Sequence, residues 1–464
     1  MALRIEPTIL FLLFVISLAT MPAHGTTQPA VGPNINIVPG NDRQRAEPTI
    51  AVDPRNPSIL VAGSQDLDLQ SGCCPPSGHR WNEYYRSTDG GQTWTATLLP
   101  GFPGDNSKQG KSSPLRQYNI TSDPVIAFDR NGNVYYAGVA DILSNGTRLV
   151  VQSSGFVAKY LNDGADYAGA TLINQGKDKP WITTDNSGGP FDGNVYVIFD
   201  AGLSGKNFGS IFVRSTDHAK IFSDPILLSD NTEAASGITV DPSGIIYIAF
   251  LGGFGNIPVL KSTDGGLSFF GPTIAANITP IFDPFAGNSF RALTLPQIAS
   301  DNRGVYIVWD DIGTGQANVL LTRSLDHGLT WSTPLTINNS TIGQHFFPTI
   351  AVSAGTISIA WYDSRLGTLS NGTITGLDVY YAQSTDGGAS FPGNIRVTSV
   401  SFNPNLVTTL DFNRGAPFIG DYIQIAASPG VAHPIWTDNR NACDFVDPSI
   451  GCLDQDSYTA TITF

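Results

Sequence analysis

Hydrophobic residues fall in short β-rich runs, and the runs come in pairs. The first pair is Pro48-Thr49-Ile50-Ala51-Val52-Asp53, a turn, then Ile59-Leu60-Val61-Ala62-Gly63. Later pairs centre on Ile126, Ile182, Ile238, Ile298, Ile350 and Ile425, which makes seven units. The second run of each pair is apolar without clean alternation, as in Val195-Tyr196-Val197-Ile198-Phe199 and Val305-Tyr306-Ile307-Val308-Trp309. Such runs predict strands covered on both faces. Turns of the Asp-Pro-Ser-Gly and Asp-Asn-Arg-Gly type, at Asp241 and Asp301, predict hairpins between the paired strands.

A second pattern follows each pair. It is Ser-x-Asp-x-Gly-x-x-aromatic, seen at 87–94, 262–269, 324–331 and 384–391. A weaker copy at 215–222 has Ala219 in the glycine place, and a decayed copy at 160–167 has Asn162 and Gly164. A third strand leads into each box, such as Asp378-Val379-Tyr380-Tyr381-Ala382, and a fourth leaves it, such as Pro334-Leu335-Thr336-Ile337. Four antiparallel strands per repeat predict an all-β, seven-bladed β-propeller. The seventh unit ends without a box or a fourth strand. Asn34-Ile35-Asn36-Ile37-Val38 occupies the place of a fourth strand before the first unit. It is expected to complete the last blade, which closes the ring and leaves no long free edge. The propeller domain is therefore placed at 34–464, with a linker at 26–33.

Composition adds a compartment. Residues 1–25 read as an export signal, with Arg4, an apolar run over 9–19 and Ala23-His24-Gly25 as a small-residue cleavage site. No later stretch is apolar enough to span a membrane. Secretion to the extracellular space or cell surface is expected. The four cysteines, Cys73, Cys74, Cys443 and Cys452, fit an oxidising compartment. Ring closure puts both pairs near one another. Either Cys73 pairs with Cys74 and Cys443 with Cys452, or the bridges cross between blades; the short loop from 443 to 452 favours the local pairing. Asn-x-Ser/Thr triplets at Asn119, Asn145, Asn277, Asn338, Asn339 and Asn371 are potential glycan acceptors. The net charge of −14 argues against nucleic acid as a partner.

The boxes carry a resemblance. Together with Lys179-Pro180-Trp181-Ile182, Phe347-Pro348-Thr349-Ile350, Trp361-Tyr362-Asp363-Ser364-Arg365 and Gly420-Asp421-Tyr422-Ile423, they resemble the Asp-box, or BNR-repeat, sialidase-like propellers exported by microbes. The resemblance covers about residues 34–464. It implies that Asp89, Asp217, Asp264, Asp326 and Asp386 are structural, in turns on the face opposite the functional one. It implies a propeller that interacts with extracellular glycans and, if it is an enzyme, an exo-sialidase-like glycoside hydrolase. A non-catalytic propeller binding protein or cell-surface partners is the alternative, and a monomer is expected. Sialidases of this kind usually have six blades, the alternative architecture here. Their Phe/Tyr-Arg-Ile/Leu-Pro motif is missing, and glutamate is limited to Glu6, Glu47, Glu83 and Glu233.

Candidate chemistry lies on two sets of loops at the other face. Strand ends carry Asp141, Asp200, Asp310, Asp311, Asp363 and Asp438, with Arg365 and Arg440 after two of them. The connectors between blades carry Arg45, Glu47, Arg116, Lys179, Arg291, His345, Arg414 and Asp421. Arg45, Arg291, Arg365, Arg414 and Arg440 are candidates for clamping a sugar carboxylate. Tyr422, Asp310 and Asp363 are the catalytic candidates, a tyrosine being the nucleophile that sialidases use. Asp–Arg pairs that tie blades together are the bland counter-reading. No cofactor is required by any motif. Asp66-Leu67-Asp68 offers oxygen ligands of the kind Ca²⁺ takes, but no complete metal motif is present.

Overall fold

A computed structural model describes residues 28–39, 44–67, 80–144, 149–202, 208–230, 232–281, 288, 290–369, 371–406, 417–442 and 454–464. The segment 1–25 expected to be an export signal, all four cysteines, Asp68, Asn145 and Arg414 lie outside the described residues.

Six antiparallel four-stranded sheets follow one another along the chain, each with its strands in sequence order. Their first strands are Arg45–Asp53, Ile120–Phe128, Asp178–Thr184, Thr232–Val240, Gln297–Ser300 and His345–Ser353. A seventh sheet opens with Gln424–Ser428. First strands of successive sheets pack side by side round the ring, and Gln424–Ser428 packs against Arg45–Asp53. The protein is thus a seven-bladed β-propeller, and the six-bladed alternative does not hold. Apolar second strands explain the packing: Tyr196, Val197, Ile198 and Phe199 are buried between neighbouring sheets.

The last blade closes as expected. Its second strand, Val431–Asp438, pairs with a third in two pieces, Asp456–Thr459 and Ile462–Thr463. The fourth strand comes from the other end of the chain: Ile35 faces Thr459 and Asn36 faces Tyr458. Ala30–Val31, inside the stretch assigned to a linker, also joins this sheet, against Ile462–Thr463. The seam is reinforced by side chains. Arg45 donates to Glu83 and to Asp456, both at 2.6 Å, and Asn36 donates to Asp456 at 2.6 Å.

The boxes form one repeated turn. Ser87 Oγ accepts from the Gly91 N–H at 2.9 Å and donates to Asp89. Asp89 Oδ1 accepts from the N–H groups of Gln92 and Thr93. The same bonds recur around Asp217, Asp264, Asp326 and Asp386. The decayed copy has become a plain hairpin, with Asn162, Asp163 and Gly164 all at positive φ. One helical piece was not foreseen: Lys108–Ser112, capped by Ser107, leads into the 3-10 turn Pro114–Gln117 between blades one and two. Among the triplets, the Asn119 and Asn338 amides are bonded within the fold, while Asn277 and Asn371 are exposed.

Candidate functional site at the channel mouth

In each blade the start of the first strand and the end of the second share one rim. The register shows it: Arg45 faces Asp66, Ile120 faces Asp141, Asp178 faces Asp200 and His345 faces Asp363. The boxes follow the third strands and lie on the opposite rim.

A local device aims side chains into the channel mouth. The first strands of blades one, two, three and six carry a bulge at Glu47-Pro48, Asp123-Pro124, Lys179-Pro180 and Phe347-Pro348. The residue before each proline is left-handed, with φ of 54°, 53°, 46° and 50°. Proline cannot donate to the ladder, and its ring disfavours helical backbone in the residue before it. Left-handed backbone in a non-glycine residue costs about 1–3 kcal/mol and persists only when its surroundings impose it. The bulge recurs as architecture, but the residue it presents does not: Glu, Asp and Lys stand side by side in three adjacent blades.

Those three residues build a cleft of about 290 Å³. Its floor holds Glu47, Gln65, Asp123, Asp178, Lys179, Arg291 and Asp421, with Asp141, Arg80, Lys177, Leu143, Val150 and Phe418 around it. Gln65 Nε2 donates to Glu47 Oε2 at 2.6 Å. The Lys179 N–H is shared by Asp178 at 2.9 Å and Asp123 at 3.4 Å. Lys179 Nζ and the Arg291 guanidinium both donate to Asp421 Oδ2. Arg291 also lies over the Phe418 ring, 5.3 Å from its centroid. Gly420 must be glycine: at φ 90°, an added Cβ would meet the Glu47 backbone at 2.7 Å.

The carboxyls divide into two protonation classes. Burial first, then the neighbouring Asp123 and Asp421 charges, push Glu47 well above the usual carboxylate range. Burial and the nearby Asp123 charge do the same to Asp178, against the pull of Lys179. Burial also opposes ionisation of Asp123. The Lys179 charge and hydrogen bonds from Asp178 and Glu47 outweigh it, so Asp123 is held below its ordinary value. Asp141 is pushed up by burial to about 6. Neutral Glu47 and Asp178 thus flank an ionised Asp123, while Asp421 faces two cations.

The other expected site residues go elsewhere. Arg45 is fully buried between Glu83 and Asp456, so it clamps blades and presents no face to a sugar. Arg365 forks onto Asp363, which also accepts from Trp361 and bonds His345, and it stacks 4.0 Å from the Tyr380 centroid. Arg440, Asp438, Trp436 and Tyr458 repeat that arrangement one blade later. A repeated Trp-x-Asp-x-Arg knot is architecture, which is the bland reading of Arg365, Arg440 and Asp363. Asp310 accepts from the Phe347 N–H at 2.9 Å and from Thr294, tying blade five to blade six; burial pushes it up to about 7. Tyr422 is buried beneath Asp421. Its hydroxyl donates to the Pro124 carbonyl at 3.0 Å, and its ring packs on Trp181, so it is not placed as a nucleophile. Arg116 sits exposed on the 3-10 turn, donating to the Asp105 carbonyl. Among the described arginine candidates, only Arg291 reaches the cleft. Among the described residues, no His/Cys/Asp/Glu group is arranged to hold a metal ion.

Asp123, Asp178, Gln65, Arg80 and Phe418 were missed. The signal for Asp123 was present: the phrase x-Pro-x-Ile recurs at 47–50, 123–126, 179–182, 295–298 and 347–350, and its first residue varies in charge.

No protein-family model matches the chain, and no curated protein matches it. Among solved structures it is similar to a Dyadobacter fermentans DSM 18053 protein of unknown function, at 12% identity, over 94% of this chain and 99% of that one, with a TM-score of 0.49. It is also similar to the phage phi92 endosialidase at 12% identity (93% and 69% covered, TM-score 0.48). The Hadza microbial sialidase Hz136 matches at 13% identity (90% and 65% covered, TM-score 0.43). At such identity and overlap, none of them assigns a residue or an activity to this chain.

Proposed function

We propose that this is a secreted Asp-box propeller that binds an extracellular glycan in the channel-mouth cleft. The observation that carries this is the cluster of Glu47, Asp123, Asp178 and Lys179 on strained first-strand bulges, with Arg291 and Asp421. Strain held at a concave polar site is a mark of function. A cleft of about 290 Å³ suits a sugar residue better than a flat protein surface. The test is a glycan microarray probed with the full chain. Binding to a defined glycan, lost in Asp123→Asn and Lys179→Met, is expected; no binding to any glycan overturns it.

Hydrolysis of a glycosidic bond is the second reading, favoured by Asp141. A carboxyl held at about 6 keeps part of its proton near neutral pH, and Asp123 beside it stays ionised. An acid and a carboxylate in one cleft are what glycoside hydrolysis needs. Fluorogenic sialosides and neutral aryl glycosides test it. Asp141→Asn should lower kcat by about 10²-fold or more, and no turnover across the panel removes hydrolysis while leaving binding.

A further inference from the structure

Among the described residues, the candidate arginines for clamping a carboxylate are engaged with the protein's own carboxylates. Arg45 is held by Glu83 and Asp456, Arg365 by Asp363, and Arg440 by Asp438. In the cleft, Arg291 and Lys179 converge on Asp421 Oδ2. To reach these two cations, a ligand carboxylate would have to displace Asp421 from both. It would also lie beside Asp123, another ionised carboxylate.

The floor asks for the opposite chemistry. Asp421 is fully buried and lines the cleft, yet its Oδ1 has no hydrogen-bond partner. Gln65 is 1% exposed and lines the same cleft; its Nε2 serves Glu47, and its Oε1 has no partner. Two buried acceptors on one cleft are costly unless a donor reaches them, at about 1–3 kcal/mol each. A carboxylate brings no donor. A sugar hydroxyl brings one donor and accepts in return, so a pair of ring hydroxyls can serve both acceptors while Arg291 or Lys179 donates to their oxygens. An ammonium donor would also fit the acceptors, but it would stand close to Lys179 and Arg291.

We propose that the cleft selects a neutral, hydroxyl-rich terminal sugar, whose hydroxyls donate to Gln65 Oε1 and Asp421 Oδ1, over a carboxylate-bearing one. This rests on the glycan-binding reading and names its ligand class. Gln65 is then a specificity-determining residue.

The test probes an array of immobilised glycans with the full chain at neutral pH. The termini are neutral hexoses, deoxyhexoses or pentoses on one set and uronic or sialic acids on another. Signals at least tenfold stronger on neutral termini are expected. Gln65→Leu, which removes the acceptor together with the donor to Glu47, should weaken the preferred neutral glycan about tenfold in a chain that still unfolds cooperatively. Gln65→Glu, which keeps an acceptor there, should stay within about threefold. Preference for carboxylated termini, or equal loss in the Leu and Glu variants, overturns the assignment while the glycan-binding reading stands. Silence on every glycan overturns that reading itself.

Discussion

The box rim lowers the values of its carboxylates, whereas the channel rim raises several of its own. At the box rim, Asp89, Asp264 and Asp386 sit near solvent and accept several short bonds each. For Asp89 the leading cause is the Thr93 hydroxyl, helped by backbone N–H groups, and its value falls to about 2. For Asp264 and Asp386 some burial opposes the shift, but the Ser268, Ser384 and Ser390 bonds bring both to about 2. At the channel rim, burial leads and Glu47, Asp178 and Asp141 are held up. The box rim repeats one arrangement five times; the channel rim changes its residue at each bulge. Repetition marks parts that hold a blade together. Variation on a repeated, strained frame marks the place where a ligand is met.

The largest way to break this contrast is at Asp421. Asp421→Ala takes from the buried Lys179 and the half-buried Arg291 the carboxylate they share, and losing one partner of a buried pair costs about 3–5 kcal/mol. Denaturant unfolding should show that loss together with loss of glycan binding. If stability holds, the pair is less buried than the structure shows. Next comes a box. Ser262→Ala removes the acceptor for the buried Gly266 N–H and should cost about 1–2 kcal/mol with glycan binding unchanged. A binding change of tenfold or more there would mean that the two rims communicate.

The smallest effects are in pH, and the two rims pull from opposite ends. Box aspartates have lowered values when folded, so their contribution is present above about pH 4 and is lost as pH falls towards 2. Asp141 has a raised value, so its contribution is present below about pH 4 and is lost as pH rises through about 6. Thermal melts of Asp264→Asn should flatten the acid limb, and those of Asp141→Asn the limb above pH 5. Exchange of these outcomes would reverse the assignment of the rims.

Much of the fold was legible because its signals are local. Apolar runs, Asp-Gly turns and the Ser-x-Asp-x-Gly box each depend on residues a few positions apart. Ring closure was legible too, since a blade lacking its fourth strand must find one, and 34–38 was the segment left over. The site was legible only in part. Glu47, Lys179, Arg291 and Asp421 stood among the residues expected to converge, and they do. Arg45, Arg365 and Arg440 stood there with equal claim and were taken up by Glu83, Asp456, Asp363 and Asp438.

The sequence by itself therefore determined the blade, the blade count and which rim holds the turns, because strand period and turn chemistry are written within each repeat. Only the tertiary structure decided which charges meet. Glu47, Asp123, Lys179, Arg291 and Asp421 are spread over some 370 residues of chain and come together because the ring closes. Protonation was decided there as well, since a carboxyl's value depends on its lost hydration and its neighbours' charges. Neither quantity is a property of the residue where it stands in the chain.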